Sequence, residues 1–289
     1  MKLRDCYTRD ALAVSFELFP PKTDKGLENL YENLDELVTC GPAFITCTYG
    51  AGGSTRARTL EVLEGVRDRY PGMPVATHLT CVGSTVDDLR AYLEEARKRG
   101  VSYIVALRGD PPKGETTFVQ AEGGLAYANE LVALIRAEYP EFGVLVAGYP
   151  EVHIEAPDAD TDLANLKRKV DAGADVIVTQ LFYDNADFYR FRDRVAAAGI
   201  DVPLVPGILP VTNLAQIRRL TSMCGSKLPK KLLRRLSAHE NDDEGQFSVG
   251  VYHAARQVED LMENGVPGVH FYVLNKSRAT ALICRALVL

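Results

Sequence analysis

Short runs of apolar, β-branched and aromatic residues recur along the chain, each followed by a segment with helical spacing. The runs that read as strands are Val14–Phe19, Phe44–Tyr49, Pro74–Cys81, Tyr103–Leu107, Val144–Tyr149, Val176–Phe182, Leu204–Ile208 and Val269–Leu274. They are rich in Val, Ile, Phe, Tyr and Thr, and turn residues bound them. Within the first run Val14, Phe16 and Leu18 alternate with Ser15, Glu17 and Phe19. Alternation of this kind sends the two sets to opposite faces of a sheet.

The intervening segments have the helical period. Leu27, Leu30, Leu34, Leu37 and Val38 share one face, with Glu28, Glu32, Asp35 and Glu36 between them for the solvent side. Ser84 and Asp87 read as an N-terminal capping pair for a helix whose buried stripe is Leu89, Tyr92, Leu93 and Ala96, with Gly100 ending it. Leu163, Leu166 and Val170 share a face of a further helix closed by Gly173. Helical spacing also covers about 54–70, 122–138, 185–198, 212–222, 247–264 and 276–287.

Eight strand–helix units in 289 residues predict a parallel (β/α)8 barrel, a single domain over 1–289. The competing fold, a doubly wound open sheet, usually carries a G-x-G-x-x-G fingerprint after its first strand. Here that strand runs into Phe19-Pro20-Pro21-Lys22, and the fingerprint is nowhere in the chain. One stretch breaks the rhythm: 222–248 joins Lys227, Lys230, Lys231, Arg234 and Arg235 to the acidic run Glu240-Asn241-Asp242-Asp243-Glu244. It reads as an irregular segment with a solvated helix and an acidic loop, or as a subunit contact.

Composition narrows the class. With 46% hydrophobic and 25% charged residues the chain has the make-up of a folded globular protein, and its length supports a large core without staples. No apolar run approaches the roughly 18 residues of a membrane span. The first residues carry Lys2, Arg4, Asp5, Arg9 and Asp10 and no apolar h-region, so no secretory signal is predicted. A net charge of −6 argues against a nucleic-acid partner. The six cysteines form no C-x-x-C and no His pair has metal spacing, so no metal site is predicted. Cys47 and Cys81, inside apolar runs, read as reduced buried thiols of a cytoplasmic protein.

In a barrel the chemistry sits at the C-terminal ends of the strands. There the sequence places Glu17, Thr48, His78, Arg108, Asp110, Tyr149, His153, Gln180 and Tyr272 with Asn275. Glu17 alternates to the barrel interior, where desolvation predicts a raised pKa suited to a general acid, or else pairing with Arg or Lys. Gly109, in Arg108-Gly109-Asp110-Pro111-Pro112, allows close backbone approach to a ligand; Arg108 and Asp110 either pair internally or flank a polar ring system. The run Tyr49-Gly50-Ala51-Gly52-Gly53-Ser54-Thr55-Arg56 opens a helix but lacks the Lys-Ser/Thr ending of a P-loop, so it reads as a lid or turn. Asp162, Asn165, Arg168 and Lys169 lie within an arc of about 120° on one helix, suited either to solvent or to a diphosphate and ribose.

These motifs coincide with a known family. The chain resembles the 5,10-methylenetetrahydrofolate reductases over essentially its whole length. The resemblance is carried by Ser15–Lys22, Thr48–Arg56, His78–Cys81, Ala106–Pro112, Tyr149–His153, Asn165–Ala174, Thr179–Asp184, Pro206–Pro210 and His270–Asn275. It implies the short bacterial form without a regulatory domain, a (β/α)8 barrel, FAD as cofactor and a homo-oligomer. It also implies a ping-pong reaction: a reduced nicotinamide, NADH or NADPH, gives hydride to the flavin, which then passes it to methylenetetrahydrofolate. The alternatives are a folate-binding barrel methyltransferase without flavin and a barrel subunit of a larger redox complex.

Residue by residue, Glu17 matches the general acid and Asp110 the acid near flavin and pterin. Gln180 matches a substrate-binding amide. The flavin-contacting positions match Thr48, His78, Leu107, Arg108, Gly109, Asp110, Tyr127, Ala128, Ala147, Tyr149, His153, Asp162, Asn165, Arg168 and Lys169. Two substrate-binding positions depart from the familiar pattern: Leu220 stands where a Phe is usual and Lys276 where an Arg is usual, and the nearby Leu214 also replaces an aromatic. Apolar cover survives without aromatic stacking, and the contact at Lys276 changes shape.

Overall fold

The computed structural model describes residues 2–8, 12–49, 56–111, 114 and 117–289. The strands are β1 (Ala13–Leu18), β2 (Phe44–Cys47), β3 (Val75–Thr80), β4 (Tyr103–Leu107), β5 (Gly143–Gly148), β6 (Val176–Thr179), β7 (Leu204–Val205), β8 (Gly207–Ile208) and β9 (Gly268–Tyr272). All neighbours pair in parallel, in the order β7-β6-β5-β4-β3-β2-β1-β9-β8. β7 and β8 are the two halves of the predicted run Leu204–Ile208, divided at Pro206, which has no N–H to give the ladder. The first half pairs with β6 and the second with β9, so this one run closes the sheet into the predicted (β/α)8 barrel.

Helices α1 (Asp24–Val38), α2 (Arg56–Arg69), α3 (Val86–Lys98), α4 (Ala128–Glu138), α5 (Ala159–Asp171), α6 (Asn185–Ala197), α7 (Leu214–Cys224), α9 (Asp243–Glu263) and α10 (Arg278–Leu287) return the chain between strands. A further helix, α8 (Lys230–Ser237), lies inside the charged stretch, and Asp242 caps α9 by accepting from Gly245 N–H. The acidic run is therefore a helix start, where carboxylates favour the dipole. The capping pair of α3 is one residue later than its sequence spacing suggested: Thr85 and Asp88 bond each other's backbone N–H, and Ser84 is buried. α4 starts at Ala128 rather than near 122, with Tyr127 as its N-cap.

The alternation in β1 sorts as the sequence implied. Val14, Phe16 and Leu18 join the layer between sheet and helices, while Ser15 and Glu17 point inward. The lower barrel interior is filled by Phe44, Ala76, Tyr103, Val105, Leu145 and Val176. A 3-10 turn, Leu3–Tyr7, seals it from below, with Leu3, Cys6 and Tyr7 buried among those side chains. The sequence periodicity gave no sign of this plug. Among the described residues the floor is packed, and the cavities described below lie at the C-terminal rim. None of the described helices is long and apolar enough to cross a membrane. Leu3→Ala is expected to lower the unfolding free energy by about 2–4 kcal/mol, read by urea denaturation, because the barrel floor cannot collapse around the void.

Candidate active site

Glu17, at the end of β1, lies inside the barrel mouth between two imidazoles. Nε2 of His78, on β3, is 3.1 Å from its Oε2, and Nε2 of His270, on β9, is 3.6 Å from the same oxygen. His270 is fixed from behind, its Nδ1 sharing a hydrogen bond of 2.8 Å with Ser15 Oγ. Burial alone would raise the Glu17 pKa, but the two imidazoles outweigh it and hold the carboxyl down to about 2. This corrects the raised value expected from position alone. β1 shows that the carboxylate points inward; it does not show that strands three and nine bring imidazoles to it.

These groups line a central cavity of about 450 Å³. Thr48, His78, Leu107, Arg108, Gly109 and Asp110 line it from the ends of β2, β3 and β4; Ala147, Tyr149, His153, Gln180 and Leu220 complete it. Gln180 N–H donates to Gly148 O, and its Oε1 accepts from Leu181 N–H. Tyr272, on β9, reaches across to donate to Thr179 O at 2.7 Å. Gly207 makes that crossing possible, since a Cβ there would lie 2.7 Å from the Tyr272 ring and 2.2 Å from Thr179 O. Gly109 has φ +90°, and a Cβ on it would meet Val82 and Thr80, so glycine is required by the loop itself. Thr46, unremarked in the sequence, also lines the cavity, and its buried hydroxyl has no hydrogen-bond partner among the described residues.

A second cavity of about 500 Å³ adjoins the first; the two share Leu107, Arg108, Ala147, Tyr149 and His153. Tyr127 and Ala128 line it from the start of α4, and Asp162, Asn165, Arg168 and Lys169 from α5. Lys169 is half-buried; its Nζ donates to Ala147 O at 2.5 Å and lies 5.8 Å from the Tyr149 ring centre. Burial brings its pKa down to about 8 against the opposing pull of Asp162. Asp162 is itself pushed up by burial, and its carboxylate accepts the His153 N–H. His153 packs edge-on to Tyr149 with centroids 4.6 Å apart, and burial together with Arg108 lowers its pKa. Val152, between His153 and Glu151, has φ 72°, a strained conformation for a β-branched residue.

Arg108 stands at the waist between the cavities. It pairs with Glu155, at 2.6 and 2.8 Å, rather than with Asp110. Glu155 lines the second cavity and was not singled out by the sequence, which has no periodicity in that loop. Arg168 Nη1 donates to Asn165 Oδ1 at 2.7 Å, so these two act as one polar unit on α5. Asn275 proves to be a clasp: its amide bonds both N–H and C=O of Phe19, joining the loops after β1 and β9. Lys276, matched by the resemblance to a substrate position, lies like Asn275 outside both cavities. It lines a third, of about 330 Å³, which meets the central one at Leu209, Tyr272 and Leu274. Within the Gly-rich run only Tyr49 and Arg56 are described, so the lid or turn expected at 50–55 lies outside the described residues.

Fold and site together define a (β/α)8 barrel with a ligand site of two joined cavities at the strand ends. Residues 2–288 match the family model of methylenetetrahydrofolate reductase, and the chain belongs to that family. It is 41% identical over 274 residues to the 5,10-methylenetetrahydrofolate reductase of Escherichia coli, covering 95% of this chain and 90% of that one. It is 41% identical over 288 residues to methylenetetrahydrofolate reductase (NADH) 1 of Arabidopsis thaliana, covering 96% of this chain and 48% of the relative. The chain thus spans about half the length of the plant relatives it matches. Its fold is similar to that of a Clostridium thermocellum protein that binds two copies of 5-methyl-5,6,7,8-tetrahydrofolic acid, with a TM-score of 0.65 at 14% identity and 99% of each chain covered.

The lowered pKa of Lys169 gives the second cavity a pH signature. A nearby anion stabilises the charged amine and raises its pKa, so binding takes up a proton wherever the free amine is neutral. Affinity for adenosine diphosphate, measured by calorimetry, is expected to be flat below about pH 8 and to fall as pH rises above it. Lys169→Met should weaken binding and flatten the profile.

Proposed function

We propose that the chain reduces 5,10-methylenetetrahydrofolate to 5-methyltetrahydrofolate, with a reduced nicotinamide as hydride donor and FAD as the bound cofactor. Family membership supports the reaction. The observation that carries the reading is the pair of joined cavities, with a half-buried cation in one and a carboxylate held between imidazoles in the other. A flavin dinucleotide is long, planar at one end and anionic in the middle. The residues present fit it: Lys169, Arg168, Asn165 and Asp162 would hold the diphosphate and ribose, and the shared waist at Leu107, Arg108 and Tyr149 would lead the ring into the central cavity. When bound, the flavin supplies a two-electron relay between donor and folate.

The protein's own part is positional and protonic. Glu17 carries the charge that attracts a proton to the folate nitrogen that must be released. The imidazoles hold its pKa low without ligand, so proton delivery involves the carboxylate together with its neighbours His78 and His270. Asp110, which also lines the central cavity, adds a negative charge that favours an electron-poor iminium on the substrate. Gln180 offers an amide to the pterin edge, and Leu220 and Leu181 give apolar cover. One cavity then serves donor and acceptor in turn.

Two half-reactions followed separately by stopped-flow absorbance test the reading. The purified protein should be yellow, bleach with a reduced nicotinamide and recover colour with methylenetetrahydrofolate. Glu17→Gln should keep the first step within a few-fold and slow the second by at least about 100-fold, the scale of a lost general acid. A protein that cannot bind FAD would overturn the function, and equal loss of both steps would overturn the role of Glu17.

A further inference from the structure

Between Leu214 and Ala238 the sequence contains Arg218, Arg219, Lys227, Lys230, Lys231, Arg234 and Arg235 and not one Asp or Glu, in a chain of net charge −6. All these cations are exposed on α7, α8 and the turn between them. Elsewhere the helix faces pair their charges locally, as Arg97 does with Glu94 and Arg190 with Asp187. Among the described residues the cations of α7 and α8 form no ion pair with a carboxylate; Arg235 instead lies over the Tyr252 ring, and Lys227, in the turn, has the Glu151 carboxylate beside it.

The ridge is also fixed at the mouth of the site. Leu220, on the same helix as Arg218 and Arg219, lines the central cavity. Leu232 and Leu236 of α8 are buried in one cluster with Leu181 and Leu209, which line that cavity too. Through this cluster α8 is packed onto the elements that carry the cavity wall. The turn before α8 is tied down: Ser226 Oγ donates to Leu181 O at 2.7 Å, and Lys227 N–H donates to the Glu151 carboxylate at 3.1 Å. The charges thus stand on the solvent face of elements anchored beside the opening, and their reach grows as salt falls.

We propose that this ridge is an electrostatic guide for anionic ligands of the barrel rim, the phosphate-bearing dinucleotide donor and the carboxylate-bearing folate, drawing them to a mouth that the chain's net charge would otherwise make repulsive. The inference rests on the function proposed above. The guide acts on encounter, so it raises association rates without touching the reacting atoms.

The test is the second-order rate constant for flavin bleaching by NADH across a salt series, in wild type, in Lys230→Glu/Lys231→Glu and in the charge-matched control Lys98→Glu/Lys167→Glu. Lys230 and Lys231 open α8, where acidic residues favour the helix, so the ridge variant keeps its fold. Lys98 ends α3 beside the start of β4, at the floor of the barrel. At about 20 mM salt the ridge variant should be slower by about tenfold, converging with wild type near 0.5 M, while the bleaching rate at saturating NADH stays unchanged. The control should stay within about twofold of wild type throughout. Equal salt dependence in wild type and ridge variant, or an equal loss in the control, would overturn the guide. A wild type that NADH does not bleach would instead overturn the underlying function.

Discussion

The site depends on one buried carboxylate facing two imidazoles. A charge inside a barrel costs several kcal/mol to desolvate unless it is paired. Glu17 is paired from both sides, and the partners come from strands far apart in sequence: β3 supplies His78, and β9 supplies His270 with Ser15 behind it. Their convergence requires a closed barrel in correct register. Ser15 lies opposite His270 and Glu17 opposite Tyr272 in the ladder that joins first and last strands. The register that closes the barrel is in this sense also what pairs the carboxylate.

The same closure shapes the ligand space. Below, Leu3, Cys6 and Tyr7 fill the barrel, and the cavities lie at the upper rim. Above, the ends of β4 and β5 form a waist at Arg108, Tyr149 and His153 that joins two cavities of different character. One holds convergent acids and imidazoles; the other holds a half-buried lysine. The Arg108–Glu155 pair fixes the guanidinium at that waist. No separate nucleotide-binding unit is needed for a long, anionic ligand to span the rim.

Much of this was legible in the sequence. Period-two strands alternating with period-3.6 helices imply a barrel, and inward alternation in β1 picks out Glu17. Motif resemblance places nearly all the named residues at the two cavities, with Lys276 next door. What could not be read was contact between distant segments. The low pKa of Glu17 depends on residues 61 and 253 positions away, so its place on β1 alone gives the wrong sign. Glu155 and the floor plug leave no periodic trace because each sits in irregular backbone. Asn275 reads as a site residue by position but spends its amide on the Phe19 backbone. The basic ridge was visible as composition; only the packing of Leu232 and Leu236 behind the cavity wall places it at the mouth.

The imidazoles hold the Glu17 pKa low in the ligand-free site. The direct measurement is a carboxyl-carbon NMR titration of protein labelled at glutamate, with Glu17→Gln identifying the resonance. With both imidazoles in place this resonance should stay that of a carboxylate as pH falls and titrate only near 2. A Glu17 carboxyl that titrates at or above the ordinary 4.5 would contradict it.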